Sequence, residues 1–359
     1  MTVHARDEFL AQALDPSKCF LCGNTVSENA RTAEHVFPKW MQKEFELWNR
    51  NLTLLNGTVI PYRQVTITCC HDCNHFHLGK LERQVSAAFR HGADAVRVLD
   101  PEVLYLWLGK IYYGLLFREL TLRSDRHDPL SEEMITNAEV LREFRVHHML
   151  LRRAIGQVTW NPFPASIFIF DALTSDRAPA NFDYCDAIEQ PFLTIRCSHT
   201  YLAAFLQDFG AARAFGVGNF QQVKAAAGLV LHPLQCVELD ALFLTVLKQH
   251  HPAKLVLGQG PYGCDVIASP PGGLSGLPPY EPWDRDLYQD MLKATLMTKT
   301  GSSFMAGGRG VPSLIFDANG NPFQAPSFDW MPLRAENSSD TFGDQQGVDG
   351  SGRYELGVR

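Results

Sequence analysis

Cys19-Phe20-Leu21-Cys22 and Cys70-His71-Asp72-Cys73 decide how this chain is read, because each sets two thiols two residues apart. One such pair chelates one face of a tetrahedral zinc ion and a second pair closes the other, leaving no open coordination position. Zinc held that way is structural. It can contribute on the order of 10 kcal/mol to a unit too small to bury a sufficient core. The second pair admits two registers, since Cys69 precedes Cys70 and could take its place. The pairs stand 47 residues apart, too many for a simple finger, so a substructure is looped out between them. Nine cysteines is an odd number, and paired thiols in a reducing compartment read as a metal site rather than a disulfide framework. The other four, Cys185, Cys197, Cys236 and Cys264, stand singly in apolar surroundings and read as buried structural residues.

The looped-out segment contains Glu34-His35-Val36-Phe37-Pro38-Lys39-Trp40 and then Asn51-Leu52-Thr53-Leu54-Leu55. Directly after the second pair comes Asn74-His75-Phe76-His77-Leu78-Gly79-Lys80-Leu81-Glu82. In order and local chemistry this arrangement resembles the HNH (ββα-metal) endonucleases, in their branch with two Cys-x-x-Cys pairs. The resemblance covers about residues 19–83. It implies an N-terminal treble-clef-like ββα-metal unit with structural Zn²⁺ on Cys19, Cys22, Cys70 and Cys73. It also implies His35 as general base, Asn51 bracing the imidazole by a hydrogen bond, and a catalytic Mg²⁺ or Mn²⁺ on Glu34 and Asn74. His77 and His75 become candidate further ligands or phosphate contacts, Glu82 a supporting carboxylate, and Lys39, Lys80 and Arg83 candidate phosphate contacts. The chain departs from the pattern in carrying Glu where Asp is commoner. It also has a longer stretch from Asn51 to Asn74, where Asn56-Gly57 reads as a hairpin turn and Val65–Thr68 as a return strand.

Elementary chemistry agrees with that reading. Phosphodiester hydrolysis needs an activated water and positive charge near the phosphorane and leaving oxygen. An imidazole titrates close to neutrality and can take the water's proton. Successive side chains on an extended segment point to opposite faces, so Glu34 can face a cation while His35 faces the water. Oxygen donors suit Mg²⁺ or Mn²⁺. The resemblance therefore implies a nuclease acting on nucleic acid, DNA before RNA, in a prokaryotic defence, restriction or mobile-element setting. The alternative is a zinc-stabilised module that has lost catalysis and only binds nucleic acid or protein.

The rest of the chain bounds these readings. Hydrophobic residues make up 45% and charged residues 20% of 359, ordinary for a globular chain with a sizeable core. The expected class is α+β, in three regions: 1–90 with the zinc unit, 91–264 as a larger α+β domain, and 265–359 as a Gly/Pro-rich tail. The middle region is the candidate surface for a protein partner or a homo-oligomer. No membrane span is expected, because the apolar runs around Tyr105–Phe117 and Ala225–Leu247 are broken by Lys110, His232, Pro233, Glu238 and Asp240. Met1 to Glu8 carries no apolar signal core, which makes the cytoplasm the expected compartment. Of the net charge of −7, the last region supplies most, with 7 basic against 12 acidic residues. Nucleic acid must therefore be met by a local patch.

Asp100 as N-cap with Pro101 at the first turn predicts a buried helix through Leu116. A second helix is expected over Ser131–Gly156, with Arg142, Arg145, Arg152 and Arg153 on its surface. Strands are expected at Ser166–Phe170, Phe192–Arg196 and Leu229–Leu231, and helices near Thr200–Gln207, Leu239–His250 and Asp284–Met297. Ala335–Arg359 reads as extended. His147-His148 and His250-His251 read as unable to share a metal, since adjacent residues on a helix do not share a face.

Overall fold

The computed structural model describes residues 15–27, 31–120, 122–124, 148–187, 190–259, 264–269, 276–300 and 311–329. Strand β1 (Arg31–His35) is followed by helix α1 (Lys39–Glu44), whose start follows Pro38, and by a small hairpin of β2 (Asn51–Thr53) and β3 (Val59–Pro61). Asn56-Gly57 makes the turn, with Gly57 at φ 74° in the left-handed region. The strand that returns from this turn is β3, paired with Asn51 opposite Pro61. The stretch expected to do so runs on as β4 (Thr66–Cys70) and pairs instead with β1, Arg31 opposite Cys70 and His35 opposite Thr66. A π-helical turn, Cys73–Leu78, leads into α2 (Gly79–Arg90) and the short α3 (Ala93–Arg97).

Helix α4 (Pro101–Glu119) begins as its sequence dictates, with the Asp100 carboxylate accepting from the Glu102 amide at 2.9 Å. It is buried on nearly every side and forms the axis of the first hydrophobic core, with Phe20, Val36, Phe37, Ile67, Val85 and Phe89 around it. The segment carrying the clustered cysteines and α4 thus share one interior, which runs on past residue 90 without a break in packing.

Of the expected 131–156 helix, residues 131–147 lie outside the described residues, Arg142, Arg145 and His147 with them. Leu150–Ile155 is a 3-10 turn ending at Gly156, φ 69°. There follow β5 (Val158–Asn161), β6 (Ser166–Ala172), β7 (Phe182–Ala187), β8 (Phe192–Cys197) and β9 (Thr200–Phe205). Next come α5 (Ala211–Ala214), α6 (Gln221–Ala226), β10 (Val230–Leu231), α7 (Pro233–Lys248), β11 (Lys254–Gln259), β12 (Cys264–Ser269) and α8 (Arg285–Thr300). A five-stranded sheet runs β10-β6-β9-β8-β7, antiparallel except for the β10–β6 edge, and a three-stranded sheet runs β11-β12-β5. The helix expected near Thr200–Gln207 is therefore the central strand β9. Its residues are buried on both faces, which erases the period-two polarity that would have marked it. Leu202 and Ala204 point into the first core, Tyr201, Ala203 and Phe205 into a second.

That second core lies between the sheet and α7, with α8 across it. Helix α7 starts with a capping box: His232 Nδ1 accepts from the Leu234 amide at 3.1 Å, and Gln235 Oε1 from the His232 amide at 2.9 Å. Parts of the expected tail belong to this core. Met291, Leu292 and Leu296 of α8, and Leu314 and Ile315 after it, are buried there. Ala335–Arg359 lies outside the described residues. Among the described residues, no helix is long and apolar enough to cross a membrane.

Candidate metal centre and catalytic site

The first thiol pair sits on a knuckle pinned to the β1–β4 hairpin. The Phe20 amide donates to the Thr68 carbonyl at 2.9 Å, and Gly23, φ 72°, turns the chain so that its amide reaches the Cys19 carbonyl. The second pair lies at the end of β4 and the start of the π-helical turn. The sulfurs of Cys19, Cys22, Cys70 and Cys73 all lie within 4.8 Å of one another, and the Cys70 amide donates to the Cys19 sulfur at 3.3 Å. This donor set fits zinc, and it selects Cys70 over Cys69 for the closing position. Cys69 stays next to the cluster, fully buried, with its sulfur 3.7 Å from that of Cys19. Hydrogen bonds from Cys22, Cys69 and Cys73 push the Cys19 thiol down, while those with Cys19 push Cys22 and Cys73 up. So close a cluster holds several thiolates only around a cation.

Arg152, expected on a helix surface, is instead wholly buried. Burial lowers its pKa to about 10, against the pull of Cys22, Cys19 and Cys73. A guanidinium placed there would offset the surplus negative charge that four thiolates around one Zn²⁺ would carry.

Among the described residues, the four cysteines are the one group of three or more His, Cys, Asp or Glu side chains placed to share an ion. The residues expected to serve catalysis form a looser arrangement around β1. Alternation along the strand turns Thr32 and Glu34 to one face and His35 to the other. Asn74 reaches the first face, its Nδ2 donating to Thr32 Oγ1 at 3.0 Å. Glu34 is 8% exposed and is met there by Lys110 of α4, itself 1% exposed. The Lys110 ammonium lies 2.5 Å from Glu34 Oε1, 2.8 Å from Glu82 Oε1 and 2.5 Å from the His35 carbonyl oxygen. Burial raises the Glu34 pKa, Lys110 opposes that rise and Glu82 adds to it. Burial alone would depress the Lys110 pKa, but the two carboxylates outweigh it and hold the lysine charged.

His35 is half-buried, its ring 5.8 Å from that of Trp48, and its Nδ1 is the buried side of the ring, without a hydrogen-bond partner among the described residues. Burial lowers its pKa below 6.5, and the charges of Lys39 and Lys110 lower it further. The imidazole is therefore neutral at pH 7. The hydrogen bond expected from Asn51 is not formed. Asn51 belongs to the separate β2–β3 hairpin, where Leu52 turns inward and Asn51 outward, into a cleft shared with Asn49, Arg50 and Asp183. His77 is half-buried one helical turn beyond Asn74. His75 is exposed and stacked on His71, ring centroids 4.2 Å apart. Lys39, Lys80 and Arg83 are exposed. A cleft of about 560 Å³ beside β1 and β4 is lined by Arg31, Thr32, Thr66, Thr68 and Arg118.

No family model, curated protein or solved structure matches this chain.

The donors that the catalytic cation expected from sequence would find here are oxygens, and two carboxylates against one ammonium leave one negative charge over. In kind this fits Mg²⁺ or Mn²⁺. Glu34 would give the carboxylate oxygen that Lys110 does not hold, and Asn74 its Oδ1, since Nδ2 is committed to Thr32. Two residues of this region escaped the sequence reading, Lys110 and Arg152. Lys110 had a signal: a lone charge inside a helix apolar all round must find a counter-charge. Arg152 had none, because its segment reads as an ordinary charged helix.

Proposed function

We propose that the chain is a metal-dependent, HNH-type endonuclease hydrolysing phosphodiester bonds, with DNA the first substrate to test. The observation that carries the reading is the end of β1, where a neutral, half-buried imidazole follows directly on a carboxylate facing the other way. His35 accepts the proton of the attacking water. Asn74 is oriented by Thr32, two residues before Glu34 on the same strand face, and would offer its amide oxygen there. Arg31 and Arg118, flanking the cleft along β1 and β4, meet phosphates and fix the backbone in register. Mg²⁺ or Mn²⁺ bound at Glu34 and Asn74 would supply the positive charge that the phosphorane and leaving oxygen require. The zinc knot holds the hairpin and the following helix in fixed relation, so the donors need little rearrangement.

The test is cleavage of plasmid DNA and of RNA by the zinc-loaded chain, with Mg²⁺, with Mn²⁺ and with chelator, beside His35→Ala. Cutting that needs the divalent ion and is lost in the variant supports the reading; cutting that survives in the variant removes His35 from its role. The second reading, a zinc-stabilised module that binds without cutting, is favoured by the hold of Lys110 on Glu34 and by the outward position of Asn51. It requires nucleic-acid binding with no cleavage under any of these conditions.

A further inference from the structure

We propose that Lys110 is a positioning residue of the site, an internal cation supplied by α4 from outside the zinc-bearing segment. The inference rests on the nuclease reading for its consequence, and on geometry alone for its content. Three contacts define it. The ammonium bridges Glu34, a buried carboxylate of a strand, and Glu82, a partly exposed carboxylate of a helix, which would otherwise face each other uncompensated. It also holds the carbonyl of His35, so the same group that fixes the acid fixes the backbone presenting the base. The lysine stem is enclosed within the first core, so the ammonium cannot swing to solvent without opening it.

A buried ammonium between two carboxylates fills the place a divalent ion would take if the lysine were neutral. Lys110 therefore has two effects. It excludes a cation from between Glu34 and Glu82, and it leaves Glu34 a single oxygen to offer, on the side away from α4. A site built this way binds its catalytic ion loosely and in one position. The alternative role is purely structural: an ion pair joining α2, α4 and β1, with no bearing on which ions the site accepts.

Mn²⁺ binding to the zinc-loaded, full-length chain separates the two roles, read by electron paramagnetic resonance for the wild type and Lys110→Met. The expected result is Mn²⁺ held at least about tenfold more tightly in the variant, through a site between Glu34 and Glu82 that disappears on adding Glu82→Gln, with zinc content unchanged and kcat reduced. Equal Mn²⁺ affinity in a folded Lys110→Met protein overturns the proposal. Should that variant not fold, the double variant Lys110→Met/Glu82→Gln keeps the net charge of the cluster; a kcat lowered with zinc retained supports the proposal, and wild-type kcat overturns it. The unmodified protein gives its own reading. Lysine-selective nitrogen NMR should show an ammonium protected from exchange at neutral pH, absent from the spectrum of either variant, and a spectrum without one overturns the proposal. A wild type that cuts no nucleic acid removes the nuclease reading, yet leaves the Mn²⁺ and NMR results to decide on Lys110.

Discussion

Cys69 and Cys70 are chain neighbours with opposite fates. Both come near Cys19, but only Cys70 completes the set of four mutually close sulfurs. Cys70→Ser should therefore abolish stoichiometric zinc, measured by atomic emission on the purified protein, while Cys69→Ala should retain it. His35 carries a pH prediction. Its pKa is lowered, so protonation silences it only below its ordinary range; cleavage should stay level as pH falls from about 8 to about 6.5 and decline beneath that. His148 carries another. Wholly buried against Phe20 and Phe117, it has its pKa lowered to about 3 from 6.5 by burial and then by Arg152. Between those values the unfolded chain binds the proton and the folded chain does not, so stability falls as pH falls through that window, by about 1.4 kcal/mol per unit. Urea melts at pH 7, 6 and 5 should show His148→Phe with a slope shallower by one proton.

Helix α4 is the element on which the site leans. A Cβ at Gly114 would meet Val36 Cγ2 at 3.1 Å, and Val36 directly follows His35. Gly114→Val should overpack this contact, destabilising the fold by about 1–3 kcal/mol in denaturant melts, and should reduce cleavage by shifting the strand end. How much could be read from sequence divides along elements. The thiol pairs, the Asp100 cap, α7 and α8 were legible because each is written in local spacing: chelation, capping, or an apolar run of helical length. Strand β9 was not, since Thr200–Phe205 is buried on both faces and carries no alternation to tell strand from helix. Nor was the outward turn of Asn51, which depends on β4 pairing with β1 and leaving β2 to β3. The partners of Lys110 lie 28 and 76 residues away in sequence, and only tertiary packing brings them to it.

At the scale of the molecule, one sheet separates two cores, and its strands alternate side chains between them. The second core draws on residues after 276: Glu238 of α7 accepts from Tyr288, Ser313 and the amides of Leu314 and Ile315, binding the Gly/Pro-rich region to the sheet layer. A chain ending at residue 275 would expose the face of α7 that α8 covers. It should purify as aggregate rather than as a monodisperse species by size-exclusion chromatography, even with zinc supplied.

The origin of Lys110 bears on how this protein could be cut up or recombined. Residues 15–90 carry the four clustered cysteines and every acid and imidazole of the proposed site, and they would look self-sufficient as a graft onto another carrier. Transplanted without α4, however, they would bring two acids into contact with no counterion and leave the His35 carbonyl without its ammonium. Any portable version of the segment has to take its neighbour's lysine along.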